Sequence, residues 1–121
     1  MDMKTTLVIG ASTNPERYSF MAVRKLIQHQ HNLKALGIKP GVIDGISIDT
    51  SPFQYENIDT ITLYVNPKNQ MPFYDYIISL NPRRVIFNPN TENQEFMSLL
   101  TKHGIEVMSA CTLVLIATGR Y

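Results

Sequence analysis

The amino-acid sequence predicts an α/β domain, three layers deep, with helices on both faces of a mostly parallel five-stranded sheet. Three observations carry that prediction. Short β-branched apolar runs alternate along the chain with segments whose apolar residues recur at helical spacing, the pattern of successive β-α units. The clearest run is continuously apolar instead of alternating, as in a strand buried on both faces. Most runs stop at Gly or at Asn-Pro, residues that turn a strand towards a helix.

The first strand is Thr5-Thr6-Leu7-Val8-Ile9, which stops at Gly10. A polar turn from Ala11 to Ser19 leads into a helix with Phe20, Val23, Leu26 and Ile27 on one face, ending near His29 to Asn32. Leu33 to Ile38 is the second strand, closed by Lys39-Pro40-Gly41, and Val42 to Pro52 reads as a loop with a short extended piece. The second half of Ile58 to Val65 is the third strand, rich in β-formers. Asn66-Pro67 then reads as a helix start, Asn at the N-cap and Pro in the first turn, before Phe73, Tyr76, Ile77 and Leu80 at helical spacing. Asn81-Pro82 breaks that helix, and Arg83 to Phe87 is the fourth strand, ending at Asn88-Pro89. Glu92 to His103 carries Phe96, Leu99 and Leu100 on one face, with Gly104 as the left-handed stop. Ile105 to Met108 is the last strand, and Cys111 to Thr118 is a short terminal helix lying on the sheet.

Composition bounds what this domain does. The 121 residues are 44% hydrophobic and 17% charged, enough for one core over residues 1–121 without a structural metal. A single cysteine excludes an internal disulfide. Eleven Lys+Arg against 10 Asp+Glu, scattered along the chain, argue against a nucleic-acid binder. No apolar run approaches the ~20 residues of a membrane span. The opening Met-Asp-Met-Lys lacks the apolar core of a signal peptide, so the expectation is a soluble cytoplasmic protein.

In sheets of this kind ligands bind beyond the carboxyl ends of the strands, where the strand order reverses. The first strand delivers Gly10-Ala11-Ser12-Thr13-Asn14-Pro15-Glu16-Arg17-Tyr18-Ser19 to that edge. A Gly lets backbone approach a phosphate, and the helix start offers free amides and partial positive charge. Ser12, Thr13 and Asn14 also suit simple capping of that helix. The G-x-G-x-x-G pattern of dinucleotide folds is absent, since its later positions hold Ser12 and Pro15, and no G-K-[ST] follows. The second strand ends in Lys39, where NAD folds place an acid for the ribose diol; a lysine suits a phosphorylated ribose. Asn14-Pro15, Asn66-Pro67 and Asn88-Pro89 follow strands, and Pro holds each preceding Asn extended, its polar groups turned outward for a ligand or for the turn itself. Asn81-Pro82 precedes a strand and falls at the opposite edge.

Gly10-Ala11-Ser12 with Asn14-Pro15-Glu16-Arg17-Tyr18-Ser19, then Lys39-Pro40-Gly41, then Val65-Asn66-Pro67, resembles the small stand-alone coenzyme A-binding proteins of bacteria. Their domain is similar to the nucleotide-binding domain of the succinyl-CoA synthetase alpha subunit. The likeness spans nearly the whole chain; after the second strand the family commonly carries Asn-Pro-Lys-Gly. The resemblance implies a Rossmann-like fold in which Gly10 to Ser12 and Tyr18-Ser19 meet a diphosphate. It implies that Lys39 faces the 3′-phosphorylated ribose and that Val65-Asn66-Pro67 packs on the adenine side. The chain departs from the family pattern at Lys68-Asn69-Gln70 and at Asn88-Pro89-Asn90-Thr91, the pantetheine side. Cys111 falls where relatives commonly show a cysteine.

No catalytic constellation emerges. The related ligases phosphorylate a histidine in a further domain, and His103, His29 and His31 here read as helix-end residues that favour the dipole. Cys111 lies in an apolar stretch and reads first as packing, although a helix start near it would favour a thiolate. Asp44, Asp49, Asp75, Glu92 and Glu95 form no pair suited to acid-base work, and no metal-ligand spacing appears. The expectation is a domain that binds coenzyme A or a short acyl-CoA noncovalently through Gly10, Ala11, Ser12, Asn14, Arg17, Tyr18, Ser19, Lys39, Pro40, Val65, Asn66 and Pro67. It has no chemistry of its own. Two other readings fit the residues: an NADP-linked redox or sensor domain, and a protein-interaction module that has lost its nucleotide.

Overall fold

The computed structural model describes residues 4–121. Along the chain run β1 (Thr5–Ala11), α1 (Tyr18–Gln28), β2 (Asn32–Gly37), β3 (Gly41–Ile43), β4 (Ile46–Asp49), β5 (Ile58–Leu63), α2 (Tyr74–Leu80), β6 (Arg84–Phe87), α3 (Gln94–Lys102), β7 (Glu106–Ser109) and α4 (Thr112–Ala117). The strands form one sheet in the order β3-β4-β2-β1-β5-β6-β7, parallel throughout except for the β3–β4 hairpin. The chain works outward from β1 through β2 to the hairpin, then crosses back to β5 on the other side of β1. That reversal beside β1 is the topological switch point, and it sets the Gly10 turn between the ends of β2 and β5.

The sheet has seven strands where five are expected, because the stretch read as a loop folds into β3 and β4. The hairpin turns at Asp44-Gly45, whose φ angles are 45° and 90°. Positive φ at both central residues is the type I′ geometry that matches the twist of the flanking strands, and Asp-Gly is one of its signatures. Strands of three and four residues are too short for periodicity to reveal, so that dipeptide was the available signal. α2 also starts later than its sequence suggests. Asn66 caps as expected, its Oδ1 accepting from Asn69 N at 3.1 Å, but the cap opens only a 3₁₀ turn over Pro67–Asn69. Pro72 lacks the N–H that would continue the ladder; a second 3₁₀ turn covers Met71–Phe73, and α2 begins at Tyr74.

Alternation along the strands divides the core between the two faces. Leu7, Ile9, Ile61, Leu63, Val85 and Phe87 pack with Ile77 of α2 and Phe96 and Leu100 of α3. On the other face Val8, Ala35 and Ile48 meet Val23 and Leu26 of α1 and Ile116 of α4. Burying each such side chain stabilises the fold by about 1.5–3 kcal/mol. The helical face anticipated for α1 is there: Val23 and Leu26 are buried, with Phe20 and Ile27 half-buried at its margin. Among the described residues no helix is long and apolar enough to cross a membrane.

Candidate functional site

β1 runs on through Gly10 to Ala11 before it turns. Gly10 has φ +96°, and a Cβ there would stand 2.7 Å from the carbonyl oxygen of Tyr64, the residue after β5. Tyr64 N donates to Ile9 O at 2.8 Å, so the two backbones are joined at the point where they diverge. On the other side a Cβ on Gly41 would collide with Thr13 Cγ2. The loops that follow β1, β2 and β5 therefore touch, with the Gly10 loop in the middle.

The loop from Ser12 to Arg17 is folded on itself. Ser12 Oγ accepts from Asn14 N at 3.1 Å, Asn14 Oδ1 from Glu16 N at 3.0 Å, and Asn14 O from Arg17 N at 3.0 Å. Asx-type turns of this kind hold a loop without help from the rest of the fold. They also consume the groups that would have capped α1. The N-cap is Arg17, extended at φ −83° and ψ 140°, and no side chain bonds the first-turn amides. Ser12, Thr13 and Asn14 do not cap the helix, and its amino end keeps free N–H groups with the positive end of the helix dipole. Ser19 is buried at that end, whereas Tyr18 is 70% exposed. Arg17, Lys39 and Pro40 are exposed, and among the described residues neither cation is paired with a carboxylate.

The Asn-Pro pairs divide by structural role. Asn14, Asn66 and Asn88 all follow strands at the carboxyl edge, and Asn81, in the left-handed region at φ 49°, ends α2 at the opposite edge. Asn14, Asn66 and Pro67 are exposed, and Val65 is half-buried against the α2–α3 core. Asn88 is not turned outward as its sequence suggests: it is 1% exposed. Its Nδ2 donates to Thr62 Oγ1 at 2.7 Å and Leu63 O at 2.8 Å, and its Oδ1 accepts from Thr112 N at 2.9 Å. One amide thereby fastens β5 and the start of α4 to the end of β6. The Thr62 and Thr112 hydroxyls are themselves bonded at 2.7 Å. Beside them lies the buried Tyr64 hydroxyl, and burial, only partly offset by the neighbouring Thr112 and Thr62 hydroxyls, pushes it up to about 12. Cys111, half-buried and free, is the N-cap of α4 at this same edge.

Gln70 carries no signal in the sequence, being one polar residue in a polar loop. Its side chain is wholly buried. Nε2 donates to Val65 O at 2.8 Å and to Thr91 O at 2.7 Å, and Oε1 accepts from Asn93 Nδ2 at 3.0 Å. At the amino ends of the strands an open hollow lined by Thr5, Ile27, His31, Leu33, Ile46 and Asn57 lies away from the switch point. Among the described residues no group of three His, Cys, Asp or Glu side chains gathers to hold a metal.

A family model described as a CoA binding domain matches residues 4–117. The crystal structure of an uncharacterized protein is 44% identical over 98% of both chains, with a TM-score of 0.95. A hypothetical protein from Pyrococcus horikoshii OT3 is 25% identical over 93% of this chain and 80% of its own, with a TM-score of 0.81. A Thermus thermophilus protein, 20% identical over 98% of this chain and 91% of its own, shares the Rossmann-like fold at a TM-score of 0.85. No curated protein gives a significant match.

Proposed function

The chain belongs to the CoA-binding domain family, and from that premise we propose that it binds coenzyme A or a short acyl-CoA noncovalently at the carboxyl edge of its sheet, without chemistry of its own. The observation that carries this reading is the uncapped start of α1, presented by a self-folded loop that ends at the unpaired Arg17 and adjoins the loop of the unpaired Lys39. Coenzyme A brings phosphates to both places, a diphosphate and a 3′-phosphate. The amides from Gly10 to Ser12 and at Tyr18-Ser19 take the diphosphate, Asn14 shapes their loop, and Arg17 adds charge. Lys39, with Pro40 beside it, takes the 3′-phosphate, and Val65-Asn66-Pro67 lines the adenine side. Hydrogen bonds to charged groups contribute about 1.5–3 kcal/mol each.

The test is a thermal-shift panel with coenzyme A, acetyl-CoA, dephospho-CoA, NAD and NADP. Ligand at a hundred times its Kd adds about 2.7 kcal/mol of stability, which a chain of this size reports as a raised midpoint of several degrees. A rise with coenzyme A and acetyl-CoA supports the reading. A rise with NADP alone replaces it by a nicotinamide-binding role, and no rise with any of them overturns it in favour of a domain that engages another protein.

A further inference from the structure

We propose that Gln70 is the positioning residue of this site: its buried amide bolts the loop after β5 to the loop after β6, so that an extended ligand meets both as one rigid surface. The inference rests on the coenzyme A reading. Both amide protons are used, one on Val65 O at 2.8 Å and one on Thr91 O at 2.7 Å, carbonyls of two different loops. The oxygen is used too, by Asn93 Nδ2 at 3.0 Å. Asn93 passes the connection on: its Oδ1 caps α3 through Phe96 N at 3.1 Å, and its Nδ2 also reaches Tyr74 Oη at 2.8 Å, at the start of α2. Tyr74 in turn stacks on Phe96, with ring centroids 4.2 Å apart. Two bonded amides, Gln70 and Asn93, thus link the spacing of the two loops to the entries of the two helices that follow them.

An apolar side chain of the same length would fill the space equally well. What glutamine adds is the junction between two carbonyls of different loops. Gln70 is 0% exposed, so a ligand never touches it; its influence passes through Val65-Asn66-Pro67 on one side and Pro89-Asn90 on the other, all but Val65 exposed at the carboxyl edge. A long flexible arm binds better to a surface that is already ordered, because less conformational freedom is lost on association. On the coenzyme A reading the adenine meets Val65-Asn66-Pro67 and the pantetheine arm reaches Pro89-Asn90, so only the whole molecule spans the two loops that Gln70 joins and depends on their spacing; the phosphates engage the Gly10 loop and Lys39, which Gln70 does not touch.

The experiment titrates the wild type and Gln70→Met with coenzyme A and with adenosine 3′,5′-bisphosphate, which lacks the arm. Gln70→Met keeps the volume and removes the three bonds. The expected result is about tenfold weaker coenzyme A and bisphosphate affinity unchanged within about twofold. Equal weakening of both ligands, as general loosening would give, overturns the proposal, and so does an unweakened coenzyme A. A wild type that takes up neither ligand overturns the coenzyme A reading itself, a separate outcome. Should the variant fail to fold, amide exchange in the wild type decides: coenzyme A slows exchange in segments 65–70 and 88–93 in parallel, and protection confined to one of them overturns the proposal.

Discussion

Gly10 and Tyr64 meet backbone to backbone at the switch point, with no room for a β-carbon between the Gly10 α-carbon and the Tyr64 carbonyl. Any side chain at position 10 must therefore push β1 and β5 apart while holding φ at +96°. Gly10→Ala carries both penalties, backbone strain and overpacking, each about 1–3 kcal/mol. The expected outcome is a clear fall in the urea midpoint together with loss of coenzyme A binding. A variant that keeps its midpoint would show that the contact yields without consequence.

Lys39 stands on the neighbouring loop, which Gly41 seats against Thr13. Lys39→Ala removes one charged partner of the ribose phosphate, so coenzyme A should weaken by about 1.5–3 kcal/mol, roughly ten- to a hundredfold. Dephospho-CoA, which lacks that phosphate, should be nearly unaffected. Calorimetric titration of both ligands against both proteins checks it, and equal losses for the two ligands would remove the role given to Lys39.

Asn88 supports the same edge from beneath. Asn88→Leu keeps the bulk and strands Thr112 N and Leu63 O in the interior, at about 1–3 kcal/mol for each buried group left unpaired. Urea unfolding should show a lower midpoint with an unchanged slope, and amide exchange should speed up at the start of α4. If α4 exchanges as before, its anchorage lies elsewhere.

These three positions also show what the sequence discloses and what it conceals. The helix-strand alternation, the apolar faces and the place of the Gly10 and Lys39 loops are legible because they follow from periodicity and from topology rules that act over many residues. The β3–β4 hairpin escapes because its strands are too short to show a period, though Asp44-Gly45 announces the turn. The roles of Asn88 and Gln70 escape for a different reason: their partners, such as Thr112 and Thr91, lie far along the chain and come together only once the sheet is assembled. An Asn before Pro looks the same whether it is exposed, like Asn66, or buried, like Asn88.

His31 provides a dependence on pH that is independent of any ligand. Its ring meets the Tyr121 ring edge-on at 4.9 Å, and the Arg84 guanidinium lies 4.8 Å from the centre of that same ring. Partial desolvation of the ring where it packs on Tyr121, then the charges of His29 and Arg84, hold the largely exposed imidazole below its ordinary value of 6.5. The unfolded chain therefore takes up this proton before the folded one does, and protonation favours unfolding. His31 contributes its full share to stability above 6.5 and loses it as the pH falls from there through the lowered folded value. Urea midpoints taken between about pH 7.5 and pH 5.5, above the carboxylate range, should decline for the wild type. The decline should be shallower for His31→Gln, which cannot titrate. Parallel profiles for the two proteins would mean that the Tyr121–Arg84 contact does not sense the charge on residue 31.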